Sequence, residues 1–175
     1  MRIGIDISQT AYERTGVAVY VKNLVSQLIA QDKENEYVLF FSSLRGTLPP
    51  FDLARGKNVQ IKQFKFPPSL LDLFWNKLHV MPIEYLIGDV DIFITSDWTE
   101  PPTLRAKKMT ILYDLIVYKF PEETDAKIIA TQKRKLAWVK KESDRILCIS
   151  EATKKDAMAV LGIEEKRLSV VYPGV

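Results

Sequence analysis

Residues 1–28 read MRIGIDISQTAYERTGVAVYVKNLVSQL, and the fold follows from the way this stretch changes period. Arg2 to Ile7 is a short apolar run with β-branched side chains, which reads as a strand. The first strand ends at Asp6, and the polar loop SQTAYERTG carries the chain to Thr15 and Gly16. From there Val17, Val21, Leu24, Val25 and Leu28 fall on one helical face, a stripe suited to packing back on a sheet.

Further apolar, β-branched runs recur at Tyr37 to Phe41, Val59 to Gln63, Val90 to Ile94, Met109 to Leu112, Arg145 to Ile149 and Leu168 to Val171. Most lie among segments of helical period, the pattern of a doubly wound α/β domain: a mainly parallel sheet with helices on both faces. A second helix is predicted from about Ser69 to Ile87, and a third from the Pro121 and Glu122 region to about Glu142, because proline and acidic residues suit a first turn. Ser150 is the expected N-cap of a last helix starting at Glu151, and Gly162 its left-handed stop. Nothing repeats and no low-complexity linker intervenes, so residues 1–175 read as one domain.

The composition narrows the function classes. A 47% hydrophobic, 27% charged chain of 175 residues is ordinary for a globular protein. The net charge of +3 leaves any attraction to nucleic acid or anionic lipid to local clustering, and no nucleic-acid partner is expected. The N-terminus lacks the long apolar region and small-residue cleavage site of a signal peptide, and Cys148 is the only cysteine, so reducing, cytoplasmic surroundings are expected. Cys148 itself reads as a small core residue within Ile146 to Ile149. With one histidine, His79, no zinc-type cluster can be assembled, and no metal site is expected. His79 reads as a satisfied packing residue.

Candidate chemistry gathers where strands run into helices. The start of the first helix offers the backbone N–H groups of Gly16, Val17 and Ala18 and a positive dipole end to a phosphate, with an eased turn as the alternative role of Gly16. There is no G-x-G-x-x-G and no P-loop, so dehydrogenase and ATPase readings have no motif behind them. Asp114 follows an apolar run at a strand's carboxyl end, where it can meet acceptor hydroxyls or cap the ensuing turn. Ser150 and Glu151 occupy another such junction, for a cleft role or for capping alone. The segment PPSLLDLFWNKLHVMPIEYL has apolar surface around Phe74 and Trp75 that can serve the core or, with Lys77, a membrane. Lys127, Lys133, Arg134, Lys135, Lys140 and Lys141 make the following helix basic, as a solvated face or a site for anionic lipid.

Four ordered blocks then carry a resemblance: MRIGIDISQTAYERTGVAVYVKNL (1–24), TSDWTEPP (95–102), TILYDLIVYKFPEE (110–123) and CISEATKKDAMAVLGIEEKRLSVVYPGV (148–175). They look like the N-terminal half of glycosyltransferase family 4, retaining enzymes of the GT-B fold that use nucleotide sugars. The resemblance implies two Rossmann-like domains facing a cleft, with the acceptor mainly on the N-terminal domain and the donor mainly on a C-terminal domain expected to be absent from this chain. It implies a nucleotide sugar as substrate, no cofactor and no metal requirement. The acceptor would be a sugar or a lipid-linked molecule, and an anionic membrane surface at the inner face of the cell membrane a further partner. On that reading Tyr113 and Asp114 face the reacting sugar, Gly16, Val17 and Ala18 the donor phosphate, and Thr15, Asp97, Trp98, Ser150 and Glu151 the acceptor side of the cleft.

Departures from the family pattern matter too. Ala18 and Val19 stand where the family commonly has glycine and then arginine, which removes a phosphate-binding cation. Tyr113 stands where the family's HDL motif has histidine, and a phenol with an ordinary pKa of about 10 is a donor but a poor base. Rival readings are a stand-alone flavodoxin-like binding module, which leaves the blocks unexplained, and an interaction domain built on the basic and aromatic helices. A one-domain enzyme lacks an obvious nucleophile, base and orienting group.

Overall fold

The computed structural model describes residues 1–48 and 58–174. Seven strands form a single sheet in the order β3-β2-β1-β4-β5-β6-β7, and every pairing is parallel. They are β1 (Arg2–Asp6), β2 (Glu36–Ser42), β3 (Val59–Phe64), β4 (Ile92–Thr95), β5 (Lys107–Leu112), β6 (Arg145–Cys148) and β7 (Leu168–Val170). Each matches one of the apolar runs; the inner strands need apolar residues on both faces, whereas the edge strand β3 (VQIKQF) is largely exposed. In β2 the alternation sorts them: Tyr37, Leu39 and Phe41 pack with α1 (Gly16–Gln31), whereas Val38 and Phe40 pack with Trp75, Ile83 and Ile87 on the other face. Gly4 in β1 is required by that second face, since a Cβ there would lie 2.7 Å from Phe93 Cδ2 and 2.9 Å from Ile87 Cδ1.

The remaining helices cover the rest of the sheet. Leu136 and Val139 of α5 (Ala126–Glu142) and Ala157 and Leu161 of α6 (Glu151–Leu161) share a core with Ile146 and Cys148. Cys148 is fully buried, and desolvation pushes its thiol up to about 11. The predicted ends of α6 are those observed: Ser150 Oγ accepts from Thr153 N, and Gly162 closes the helix at φ 64°.

Two helical expectations need correction. The segment from Ser69 to Ile87 is not one helix. It begins as α2 (Pro68–Leu71), widens into one π-turn over Asp72–Lys77 in which Leu78 N donates to Leu73 O, breaks, and resumes as α3 (Glu84–Ile87). Pro82 disfavours a helical conformation at Met81, and His79 and Met81 take positive φ values of 52° and 65°. The break folds Trp75 inward: it is 0% exposed and donates from Nε1 to Met81 O, while Phe74 packs against the same core. The side chains read as membrane anchors therefore belong to the core. The third helix also starts late. Pro121–Glu123 form only a 3-10 turn, after α4 (Ile116–Lys119), and Asp125 caps α5 by accepting from Lys127 N.

Nor is α5 a uniformly solvated basic face. Arg134 pairs with Asp72 at 2.8 Å, Lys133 and Lys141 lie over the rings of Tyr118 and Trp138, and Lys135 is 2% exposed beneath the helix. His79 stacks on Trp138, with both ring nitrogens facing acceptors, Trp75 O and Glu142 Oε2, as a packing residue should. Among the described residues no helix is long and apolar enough to cross a membrane.

Candidate active site

The strand order reverses direction at β1, which has β2 on one side and β4 on the other. In an open parallel sheet the connections on either side of such a point leave apart, and a crevice opens beyond the carboxyl ends. Here the crevice encloses about 480 Å³ between Asp6 at the end of β1, Ser8 and Gln9 after it, Ser42 at the end of β2, Asp97 and Trp98 after β4, and Tyr12, Val17, Pro68 and Leu71 as walls. A second cavity of about 240 Å³ adjoins it across Val17, Asp97 and Trp98 and reaches Tyr113 and Asp114 after β5. A third, of about 710 Å³, lies between α1 and residues Val171 to Gly174, and is shared by Gly16, Val17, Tyr113 and Asp114.

Local hydrogen bonds hold these loops. Asp6 Oδ1 accepts from Ser8 N at 2.9 Å, and Ser8 Oγ accepts from Ser42 N at 3.0 Å, tying the loop after β1 to β2. Asn76, 2% exposed in the π-turn, donates to Trp98 O at 2.9 Å and accepts from Glu100 N at 3.0 Å. The unusual turn in the 68–87 segment thus fixes the loop that carries Asp97 and Trp98. Glu100 lies below, 0% exposed, between Lys108, Thr95 and Thr110, where it serves the fold.

The electrostatics at the floor are set by Lys135. Its Nζ donates to Ser96 O at 2.5 Å; burial pushes its pKa down, against the pull of Glu100, Asp97 and Asp6. Burial likewise pushes Asp97 up, against Lys135 and a hydrogen bond from Gln132. Desolvation raises Asp6 to about 6. Tyr113 is held well above its ordinary value, chiefly by burial, and its hydroxyl lies 2.9 Å from Ser96 Oγ. It is a neutral hydrogen-bonding group at any physiological pH.

Residues 14–175 match the family model described as Glycosyltransferase Family 4. The chain belongs to glycosyltransferase family 4. The lipopolysaccharide outer core galactosyltransferase WaaB, in its apo form, is a similar solved structure, with a TM-score of 0.51 and 14% sequence identity. The alignment covers 100% of this family 4 chain and 46% of that one, so the chain spans about half of its neighbour. At that identity the likeness concerns the fold, which is that of one half of a GT-B glycosyltransferase. No curated protein sequence matches.

The family 4 domain brings most of the sequence-predicted residues together, but not all in the expected roles. Tyr113, Asp114, Val17, Asp97 and Trp98 converge on the 240 Å³ cavity, and Thr15, Val17, Asp97 and Trp98 on the 480 Å³ crevice. Ala18 is not a free donor, because its N–H is taken by Thr15 Oγ1 at 3.2 Å; this leaves the N–H groups of Gly16 and Val17 at the helix start. Thr15 is thereby the N-cap. Ser150 caps α6, and neither it nor Glu151 lines any of the three cavities. Asp114 caps its turn by accepting from Ile116 N at 3.0 Å, yet remains exposed at the mouth of two cavities. Sequence reasoning passed over Asp6, Gln9 and Lys135. For Lys135 a signal existed: it falls one turn before Val139 and beside Leu136, on the apolar face of α5. Among the described residues no group of three or more His, Cys, Asp or Glu side chains is arranged to hold a metal.

Proposed function

We propose that this chain is the acceptor-side half of a retaining glycosyltransferase, which moves a sugar from a nucleotide-sugar donor to a hydroxyl acceptor. The observation that carries the reading is the meeting of three strand ends, those of β1 and of β4 and β5 within the family match, around adjoining cavities on one edge of the sheet. The donor is held mainly by a second half outside these 175 residues. In the transfer, the bond from the anomeric carbon to the diphosphate oxygen breaks, and the acceptor oxygen bonds to the same face of that carbon. The acceptor proton leaves with the diphosphate.

Charge develops on the departing phosphate and on an oxocarbenium-like sugar, so oriented donors matter more than a strong base. The N–H groups of Gly16 and Val17, at the start of a 16-residue helix, face the phosphate. Tyr113 donates a hydrogen bond, and the Asp114 carboxylate stands opposite the developing positive charge. Membrane docking is a second reading, and it now rests on the exposed Leu73, Leu78 and Val80 beside Lys77.

Transfer is tested by incubating the 175-residue chain and the full-length protein with nucleotide sugars and hydroxyl acceptors, and following the anomeric proton by NMR. The full-length protein is expected to give product of retained configuration, and the chain alone none. Inverted product, or turnover by the chain alone, contradicts the proposal.

A further inference from the structure

The 480 Å³ crevice has a chemistry of its own. Its volume falls in the range of about 300–1,000 Å³ found for small-molecule sites. Tyr12, Val17, Pro68, Leu71 and Trp98 make its walls largely apolar or aromatic. Several polar groups at its floor are already satisfied: Ser8 Oγ by Ser42 N, and Ser42 Oγ by the backbone of Phe66.

Gln9 is different. It is 4% exposed, its Oε1 is buried without a partner, and among the described residues its carboxamide makes no hydrogen bond at all. Buried polar side chains nearly always find partners, because an unmade hydrogen bond leaves the desolvation cost uncompensated. Asp6, 2% exposed, is hydrogen-bonded among the described residues only through Oδ1, by Ser8 N. A carboxamide needs a partner that both accepts and donates, and a carboxylate needs one that donates. Adjacent hydroxyls meet both demands. A phosphate does not: it would face Asp6 and Asp97 in a crevice that no lysine or arginine lines among the described residues, and the Lys135 ammonium beneath is already taken by Ser96 O. The apolar walls suit the C–H faces of a pyranose ring.

We infer that the acceptor is a neutral sugar, whose neighbouring hydroxyls are bound by Asp6 and Gln9 against the apolar wall of Leu71 and Trp98, and whose acceptor end points across Asp97 toward Tyr113 and Asp114. This rests on the transferase reading above, and it assigns the crevice to the sugar ring itself instead of to a charged carrier group. Gln9 acts by binding and positioning, not in bond making.

The test uses methyl hexopyranosides of several configurations, their deoxy analogues and the matching hexose 6-phosphates, titrated into the 175-residue chain and followed by NMR. At least one neutral glycoside is expected to bind, about tenfold or more tighter than its phosphorylated or deoxy counterpart, and about tenfold tighter than to Gln9→Leu. Because the Gln9 amide makes no hydrogen bond among the described residues, Gln9→Leu should fold normally, with Gln9→Met as a second variant. In the full-length protein Gln9→Leu should raise the acceptor KM by a larger factor than it lowers kcat. Absence of binding by every neutral glycoside, tighter binding of the phosphates, or equal binding by Gln9→Leu overturns the inference. Loss of donor hydrolysis in the unmodified full-length protein, with glycoside binding intact, overturns the transferase reading instead.

Discussion

Desolvation raises the Asp6 carboxyl from an ordinary 3.8 to about 6, outweighing the hydrogen bond from Ser8 and the nearby Lys135. The folded state therefore holds this proton more tightly than the unfolded chain does. Above pH about 6 the ionised carboxylate costs stability, roughly 3 kcal/mol from the size of the rise, and the cost fades as pH falls toward 4. A cost in stability at the floor of a crevice fits the binding role proposed for Asp6. Asp6→Asn keeps an acceptor for Ser8 N, and Lys135 keeps Glu100 and Asp97 as counter-charges. Urea melts at pH 7.5 should show the variant more stable by roughly 2–3 kcal/mol, with the gain shrinking by pH 4.5. A variant less stable than the parent at pH 7.5 would show that the carboxylate serves the fold.

Among the elements, α5 shows where periodicity reads correctly and where it fails. Its end at Glu142 was legible, but its start was not, because Pro121 and Glu122 open only a 3-10 turn and the helix begins at Ala126. That Lys135 shares the face of Leu136 and Val139 was visible in the spacing, but its destination was not: Ser96 O lies after β4, and strand order does not appear in hydropathy. The 68–87 segment failed for a different reason. Its apolar spacing continues past His79 to Pro82, so pattern alone joins two helices that backbone geometry separates. Removing Lys135 tests its role directly. Lys135→Met leaves Asp6, Asp97 and Glu100 without their shared cation and should lower stability by about 3–5 kcal/mol. Lys133→Met, on the exposed face, should change it by no more than about 0.5 kcal/mol. Equal losses in the two variants would make α5 the solvated basic face that composition suggests.

At the scale of the molecule, the inner strands were legible because a parallel sheet covered on both faces needs near-continuous apolar runs, whereas the exposed edge strand β3 showed only through its alternating Val59 and Ile61. The candidate site was legible only in part. Strand-to-helix junctions mark Thr15 to Val17 and Asp114, but a buried carboxyl such as Asp6 and an unpartnered amide such as Gln9 become conspicuous only when neighbours are known. The central claim is that these 175 residues form the acceptor half of a two-part site. The free N–H groups of Gly16 and Val17 supply about 0.3–1 kcal/mol of helix-terminus electrostatics, far below the roughly 8 kcal/mol of micromolar affinity, and Val19 brings no cation. A Cβ at Gly16 would meet nothing within 4 Å, so Gly16→Val probes phosphate approach without a packing clash inside the domain. The decisive measurement is calorimetric titration of nucleoside diphosphates into the 175-residue chain, the full-length protein and its Gly16→Val variant. Micromolar binding only by the full-length protein, weakened by Gly16→Val, is the predicted result; micromolar binding by the 175-residue chain alone would contradict the account.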